Sequence, residues 1–554
     1  FQNFTITQAT NTGKAELAAI SPDGKYVLSV QNDEGKAALW LRNVPTNSDA
    51  QIIPPSGAIY RSLAFSPDGN SIYFRKAADQ TGTSFNLYRA PVLGGSPQQI
   101  GRDIDSDITF SPDGKRMAYC RGNDPVVGQW RLLSANPDGT DEKVLLVKEK
   151  ASRPPQQLSW SPDGKQIAYA LPLASGPLGG IALFDVASAK TSMLATFDDK
   201  SISEIHWLPS GRGFLVNSAA RPNIGRGQIG FVSYPGGAFR TITRDTNRYA
   251  TLTLSSDGST AATVQVKTTH TIDIIPGEGT KESSPAPALA DIRDAQSLSW
   301  LGNKSLLISN GPDLIKVSPD GATRATLVSD PSAMIADAHA CGEQYLVLAW
   351  PFRGGASAAR IWRLNTDGSG ATQLTNGKGA IAAACSTDGK WVYFFDAVED
   401  RILRVSINGG PSEVVPGTEV PNSFVAAPGV GLSPDGKQLP FFSESSPGGV
   451  ALQIVNLDSG PNPARRSLKP DPRVAGVAAF TPDGKGVAYP ILENGASNIW
   501  MQPLDGSPGR QITNFKSGTI HIFSWSADGK SLAVVREESQ SDVVLLKEAS
   551  QSNQ

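Results

Sequence analysis

Histidine, methionine and cysteine are scarce in this 554-residue chain, at four, four and three copies. No two of His206, His270, His339 and His521 have metal-ligand spacing, so packed or hydrogen-bonded imidazoles are expected and no metal. Cys120, Cys341 and Cys385 sit within or beside apolar strand-like runs. Their odd number gives no disulfide framework; they are expected as small buried thiols that leave the cellular compartment undecided. No run of 18 apolar residues occurs, which excludes a membrane-spanning helix in this chain. Lysine plus arginine (50) nearly cancel aspartate plus glutamate (52), so no net field draws the chain to nucleic acid or to an anionic membrane. The opening "FQNFTITQAT" has neither an initiator methionine nor a signal-peptide layout, and the chain is expected to be cut from something longer. G-x-S-x-G, H-E-x-x-H, the phosphate-binding glycine loops and the kinase H-R-D and D-F-G elements are all missing, so we expect no catalytic centre and no cofactor here.

Glycine (55) and proline (40) are plentiful instead, a balance that favours short strands joined by tight turns. One motif recurs: "AISPDGKYVLSV" at 19, "AFSPDGNSIYF" at 64, "TFSPDGKRMAYC" at 109, "SWSPDGKQIAYA" at 159, "HWLPSGRGFLVN" at 206 and "TLSSDGSTAATV" at 253. The second half continues with "SWLGNKSLLIS" at 299, "HACGEQYLVLAW" at 339, "ACSTDGKWVYFF" at 384, "GLSPDGKQLPFF" at 431, "AFTPDGKGVAYP" at 479 and "SWSADGKSLAVV" at 524. Each copy has a short apolar strand before the turn, an alternating strand after it, then a third strand such as "FNLYRAPV" and a fourth such as "PQQIGR". Self-similarity at this period predicts an all-β tandem β-propeller of four-stranded blades. Twelve blades are too many for one ordinary ring, so two six-bladed rings are expected, over 1–285 and 286–554. The serine- and proline-rich stretch 278–288 is the expected linker. "FTITQAT" reads as a fourth strand without its first three, and is expected to close a ring by completing repeat six; completing repeat twelve would interlock the rings.

The turn residues have a structural reason to recur. Pro22 presets φ, Asp23 can bond its own backbone, and Gly24 supplies the left-handed conformation that lets the hairpin close. Repetition argues against a site at the turn, because a fold-building element must recur and an active site need not. Trp160, Trp207, Trp300 and Trp525, beside the turns, are expected as wedges between blades.

The S-P-D-G-K turn with its alternating strand resembles the WD-like repeat of TolB-type bacterial propellers and of the propeller halves of dipeptidyl-peptidase-like enzymes, over essentially the whole chain. The run "ITQATNTGKAELAAISPDGKYVLSV" with "ALWLRNV" is similar to the propeller that follows the kinase domain and membrane helix in some bacterial serine/threonine protein kinases. That resemblance implies an extracytoplasmic sensor or interaction domain. The alternatives are a stand-alone periplasmic scaffold like TolB, and a peptidase propeller lacking its hydrolase.

Specificity is expected where varied residues precede each inner strand, because those positions gather at one mouth of a propeller channel. In the first six repeats they are Glu16, Arg61, Asp107, Arg153, Glu204 and Arg248, with Tyr60 and Tyr249 beside two of the arginines. The signs alternate, so the charges can pair across the mouth and hold the ring, or form a polar pocket for a protein, peptide, small-molecule or glycan ligand. The second half offers a sparser set, Asp294, Asp337, Lys378, Arg473 and Lys516. Asp103, Asp105 and Asp107 resemble the start of a calcium loop, without its glycine and distal glutamate.

Overall fold

The structure is a computed structural model that describes residues 4–77, 84–126, 129–148, 154–172, 179–220, 226–279, 289, 292, 295–331, 333–352, 359–377, 379–396, 401–418, 431–444, 450–457 and 463–548. Among the described residues there is no α-helix. Their strands form eleven sheets, nine of them four-stranded, one three-stranded and one six-stranded. Within each four-stranded sheet the strands follow chain order, as in Ala15–Ile20, Tyr26–Asp33, Lys36–Asn43 and Ser48–Ser56, paired antiparallel throughout. Successive four-stranded meanders of this kind, repeated from one sequence plan, are the blades of a β-propeller.

Inner strands are buried on both faces because each sheet packs face to face on its neighbours. Leu28, Val30 and Leu39 of the first sheet and Ile72 and Phe74 of the second belong to one apolar cluster and are at most 1% exposed. Each such side chain contributes about 1.5–3 kcal/mol.

The repeated turn joins neighbouring sheets as well as neighbouring strands. Ser21 Oγ donates to Asp23 Oδ1 (2.6 Å), the same oxygen accepts the Lys25 N–H (3.1 Å), and Gly24 takes φ +71°. The Ser21 hydroxyl and the Lys25 amide hold the Asp23 carboxyl below its usual range. In the first unit five of the turn glycines also rest on the proline of the preceding turn. A Cβ on Gly69 would meet Pro22 at 3.9 Å, on Gly114 Pro67 at 3.5 Å, on Gly164 Pro112 at 3.8 Å, on Gly211 Pro162 at 3.8 Å and on Gly258 Pro209 at 2.8 Å. The circle closes where Ser256 N–H donates to the Pro22 carbonyl (2.9 Å). Two of the tryptophans bind across or within sheets: Trp300 Nε1 donates to the Ser524 carbonyl (2.9 Å) and Trp525 Nε1 to that of Gly277 (3.0 Å); Trp207 Nε1 is buried without a hydrogen-bond partner.

The chain divides into two compact units. The first holds the described residues up to Ala220, those of 226–267, and those from Ser539 onward; the second holds the described residues of Thr268–Glu538. The boundary expected at 285 and 286 therefore falls at 267 and 268, and the C-terminal segment belongs with the first unit. Two long strands, Thr260–Pro276 and Ser531–Glu548, account for this. In most of the other repeats a Gly- or Pro-bearing segment such as "RGNDPVVG" lies between the second and third strands, whereas "QVKTTHT" and "REESQSD" contain neither residue and each strand runs straight on; "DAVEDR" of repeat nine also lacks both, yet the strands that flank it pair as a hairpin. In the first unit Val264 and Val266 pack with Val543 and Leu545. In the second Ile272 packs with Ala533 and Val535. The expected third strand of repeat six thus serves the second unit.

Phe4–Gln8 does join the sheet that holds the repeat-six strand, yet its hydrogen-bonded partner is the C-terminal segment, with Phe4 opposite Glu548 and Gln8 opposite Val544. Residues 280–288 of the expected linker lie outside the described residues.

Cys341 and Cys385 form a disulfide with Cα atoms 5.2 Å apart, which corrects the expectation of free thiols. They end Met334–Cys341 and Ala380–Cys385, equivalent inner strands of consecutive sheets. Their separation of 44 residues is one repeat, and that equivalence brings them side by side. Cys120 is a buried free thiol, its pKa pushed up by burial.

Candidate functional site

A cavity of about 410 Å³ runs along the inner strands of the first unit. All six repeats contribute to its lining, through residues such as Ile20, Leu63, Asp107, Gln157, His206 and Leu252, and it extends to the turn residues Pro22, Pro67 and Pro112. At the turn end Phe65, Phe110 and Leu254 line it with the prolines, together with the hydroxyl-bearing Thr109, Thr253 and Ser256. Its other polar groups, Ser62, Asp107, Gln157 and His206, lie deeper along the same strands. A mainly apolar wall with a few convergent polar groups is the usual composition of a ligand pocket.

The polar end is organised around Arg75, at the inner end of Ser71–Ala77 and only 7% exposed. Its guanidinium donates to Asp107 Oδ1 (2.6 Å), to Ser62 Oγ (3.0 Å) and to the Ile104 carbonyl (3.2 Å). Gln157 Nε2 donates to Asp107 Oδ2 (2.8 Å), so both carboxylate oxygens are held. Glu204 sits two residues before His206 on Lys200–Trp207, its Oε2 3.9 Å from His206 Nε2. Burial lifts the Glu204 carboxyl well above the usual range; the Asp107 charge adds to the rise and Arg75 opposes it. Burial pushes the His206 imidazole down to about 4, against the pull of Asp107 and a hydrogen bond with the Leu252 backbone. At neutral pH His206 is therefore uncharged, and its buried Nε2 has no hydrogen-bond partner.

Asp107 and Glu204 are the two expected mouth residues that the structure gathers at this centre. Glu16 is exposed and accepts from Asn32 Nδ2 (2.8 Å). Tyr60 is buried, edge-on to Phe74, and its hydroxyl pKa is raised by burial. Arg61 is exposed, with its guanidinium over the Phe85 ring. Arg248 is exposed, whereas Tyr249 is buried and donates to Asp245 Oδ2 (2.6 Å). Arg153 lies outside the described residues, as do Asp294 and Lys378.

The three aspartates of "DIDSDITF" point to separate partners: Asp103 to Ser84, Asp105 to the Gly122 amide and Asp107 to Arg75. Among the described residues no three His, Cys, Asp or Glu side chains gather to hold a metal. Sequence reasoning passed over Arg75 and Gln157 and read His206 only as a packed or hydrogen-bonded imidazole. The available signal was a charged or polar residue inside an otherwise apolar inner strand, as in "SIYFRKA" and "EIHWL".

Sheet order and repeated turn define this chain as a β-propeller protein. No family model matches it. It is 33% identical over 55 residues to tricorn protease homolog 1 of Streptomyces coelicolor and 35% identical over 91 residues to homolog 2 of the same organism. It spans only 5% and 7% of the lengths of those relatives. Solved structures similar to it include the tricorn protease (15% identity, TM-score 0.36, 89% of this chain and 50% of that one). A GH74 enzyme of Niastella koreensis aligns over 98% of this chain and 91% of its own at 11% identity, TM-score 0.37. TolB from Acinetobacter baumannii aligns over 64% and 81% at 15% identity, TM-score 0.27. No helix among the described residues is long and apolar enough to cross a membrane.

Proposed function

We propose that this chain is a non-catalytic binding propeller whose first-unit channel receives a small ligand or the end of a peptide. We propose further that it serves as the extracytoplasmic sensor or interaction domain of a membrane-anchored bacterial serine/threonine kinase. On this reading the six-stranded sheet supplies one blade to each unit, for twelve in all. The carrying observation is the cavity of about 410 Å³ with mainly apolar walls and an ordered polar end. The similarity of the opening run to kinase-linked propellers supports the kinase assignment. The Cys341–Cys385 disulfide supports an oxidising compartment, since such bonds are rare where thiols are kept reduced.

A thermal-shift screen of the full chain against metabolites, peptides and cell-wall fragments tests the binding role, because a ligand raises the apparent stability of the state it binds. Gln157→Leu should then weaken a hit by about tenfold, while the Arg61→Glu, Arg248→Glu double variant leaves it unchanged. The opposite pattern would place binding on the exposed arginines of the mouth and not inside the channel.

The local match to tricorn protease homologs favours a second reading, the propeller part of a peptidase. Peptide hydrolysis by the polypeptide that contains this chain would support it over the kinase reading.

A further inference from the structure

A second cleft of about 710 Å³ opens in the first unit between its second and third sheets. It lies away from the channel, at the start of Phe85–Pro91, along Gln98–Gly101 and the link that follows, and at the end of Met117–Gly122. Its lining differs from that of the channel: Ile100 is the one bulky apolar residue, and the rest, glycine aside, are polar or charged. An apolar or aromatic ligand would find no surface there to leave water for. Charges of both signs line it, Arg102 and Arg121 against Asp103, Asp124 and Glu142, so a polyanion or a polycation is not favoured either.

The walls are held in advance. Arg121 grips Glu142 with two parallel hydrogen bonds of 2.9 Å, and Tyr119 donates to the same carboxylate (2.5 Å). Arg121 Nε also donates to the Asp103 carbonyl (3.2 Å). Asp103, with φ +52°, is fixed by Asn86 Oδ1 on its amide (3.2 Å) and by Ser84 Oγ on Oδ1 (3.3 Å). The Gly139 turn packs on the Ile100 carbonyl so closely that a Cβ would lie 2.0 Å from it. Capacity is left over within this frame: the Asn86 and Gln99 amide N–H groups, the exposed Arg102 guanidinium and the second Asp103 oxygen. These are planar groups that donate and accept side by side.

We infer that this cleft binds a hydroxyl-rich ligand, a short oligosaccharide. Adjacent sugar hydroxyls both donate and accept, so they satisfy interleaved amide, guanidinium and carboxylate groups at once. Preorganised walls limit the ordering that binding requires.

Calorimetric titration of the full chain with maltotriose, cellotriose and chitotriose tests the inference. At least one should bind with a Kd below about 10 mM. Asp103→Gly, which removes the carboxylate and keeps the left-handed backbone, should weaken that binding by about tenfold. Arg102→Ala, at an exposed position where folding is not at risk, should weaken it as well, and Gln157→Leu in the channel should not. Silence with all three sugars, or binding that both cleft variants leave unchanged, would overturn the inference. Binding of a lysine-rich or glutamate-rich peptide at this cleft in place of sugar would overturn the ligand class.

Discussion

The two units share one repeat plan and employ their buried charges differently. In the first, Asp107 and His206 line an open cavity, Arg75 donates to Asp107, Glu204 lies 3.9 Å from His206, and His206 Nε2 has no hydrogen-bond partner. In the second, charged side chains are mostly paired within the frame, although Asp273 Oδ1 is also buried without a hydrogen-bond partner. Arg536 Nε donates to Asp273 Oδ2 (2.6 Å), with Asp273 fully buried, and its Nη1 donates to the Ser517 carbonyl (3.0 Å). Arg473 is clamped by Asp471 and Glu493, Asp337 caps the Ala382 amide (3.0 Å), and the disulfide joins two inner strands. Repeats that build the same scaffold have diverged at the few positions the scaffold leaves unconstrained. On the proposed function, recognition falls to the first unit and the second is the more reinforced.

Ending the chain after Glu538 breaks this comparison most severely. The first unit would lose the segment between Phe4–Gln8 and its repeat-six strand, including Val543, Val544, Leu545 and Leu546, all 3% exposed or less. At about 1.5–3 kcal/mol per side chain the loss is roughly 6–12 kcal/mol, comparable to the whole stability of a domain. Calorimetry should show the first unit's transition gone and the second's retained, since residues 531–538 remain. Two intact transitions would show that the exchanged strand is dispensable.

Asp273→Ala should act on the second unit alone, by about 3–5 kcal/mol, because it leaves the Arg536 guanidinium buried without its carboxylate. The double variant Asp273→Leu, Arg536→Met should regain much of that loss, since well-packed apolar groups often replace a buried pair without penalty. Denaturant unfolding monitored separately for each unit would check both. An equal effect on the first unit would show that the units do not unfold independently.

How far these features can be read in the sequence differs from one to the next. Pro22, Asp23 and Gly24 carry their geometry in their residue types, so the sheets and their hairpins follow from the repeat. The exchange of strands was only partly legible: "QVKTTHT" and "REESQSD" lack glycine and proline, but so does "DAVEDR" of repeat nine, whose flanking strands pair as a hairpin. Asp107 and Glu204 were visible as varied charges. Their convergence with Arg75 was not, because Arg75 comes from a second strand and reaches across to the next repeat. The cysteine pair stayed hidden because repeat equivalence, and not local spacing, brings Cys341 beside Cys385.

The smallest predicted effect sharpens the comparison through pH. His206 falls from an ordinary value of 6.5 to about 4 in the folded chain, so between those values the unfolded chain binds more protons than the native one. Its contribution is present above about pH 6.5 and is lost as pH falls towards 4, by up to roughly 3 kcal/mol. Glu204 works in the opposite sense. Its raised pKa means the native chain holds the extra proton, so its contribution is present at low pH and is lost as pH rises through the folded value. Where both groups titrate, above about pH 4.5, the two slopes oppose each other and partly cancel in the first unit. His206→Gln removes one of them. Above about pH 4.5 the first unit's melting temperature should then fall more with rising pH than the parent's, and the second unit's transition should be unaffected. A first-unit profile unchanged by the substitution would show that His206 is hydrated in the folded chain and that the channel end is not closed to water.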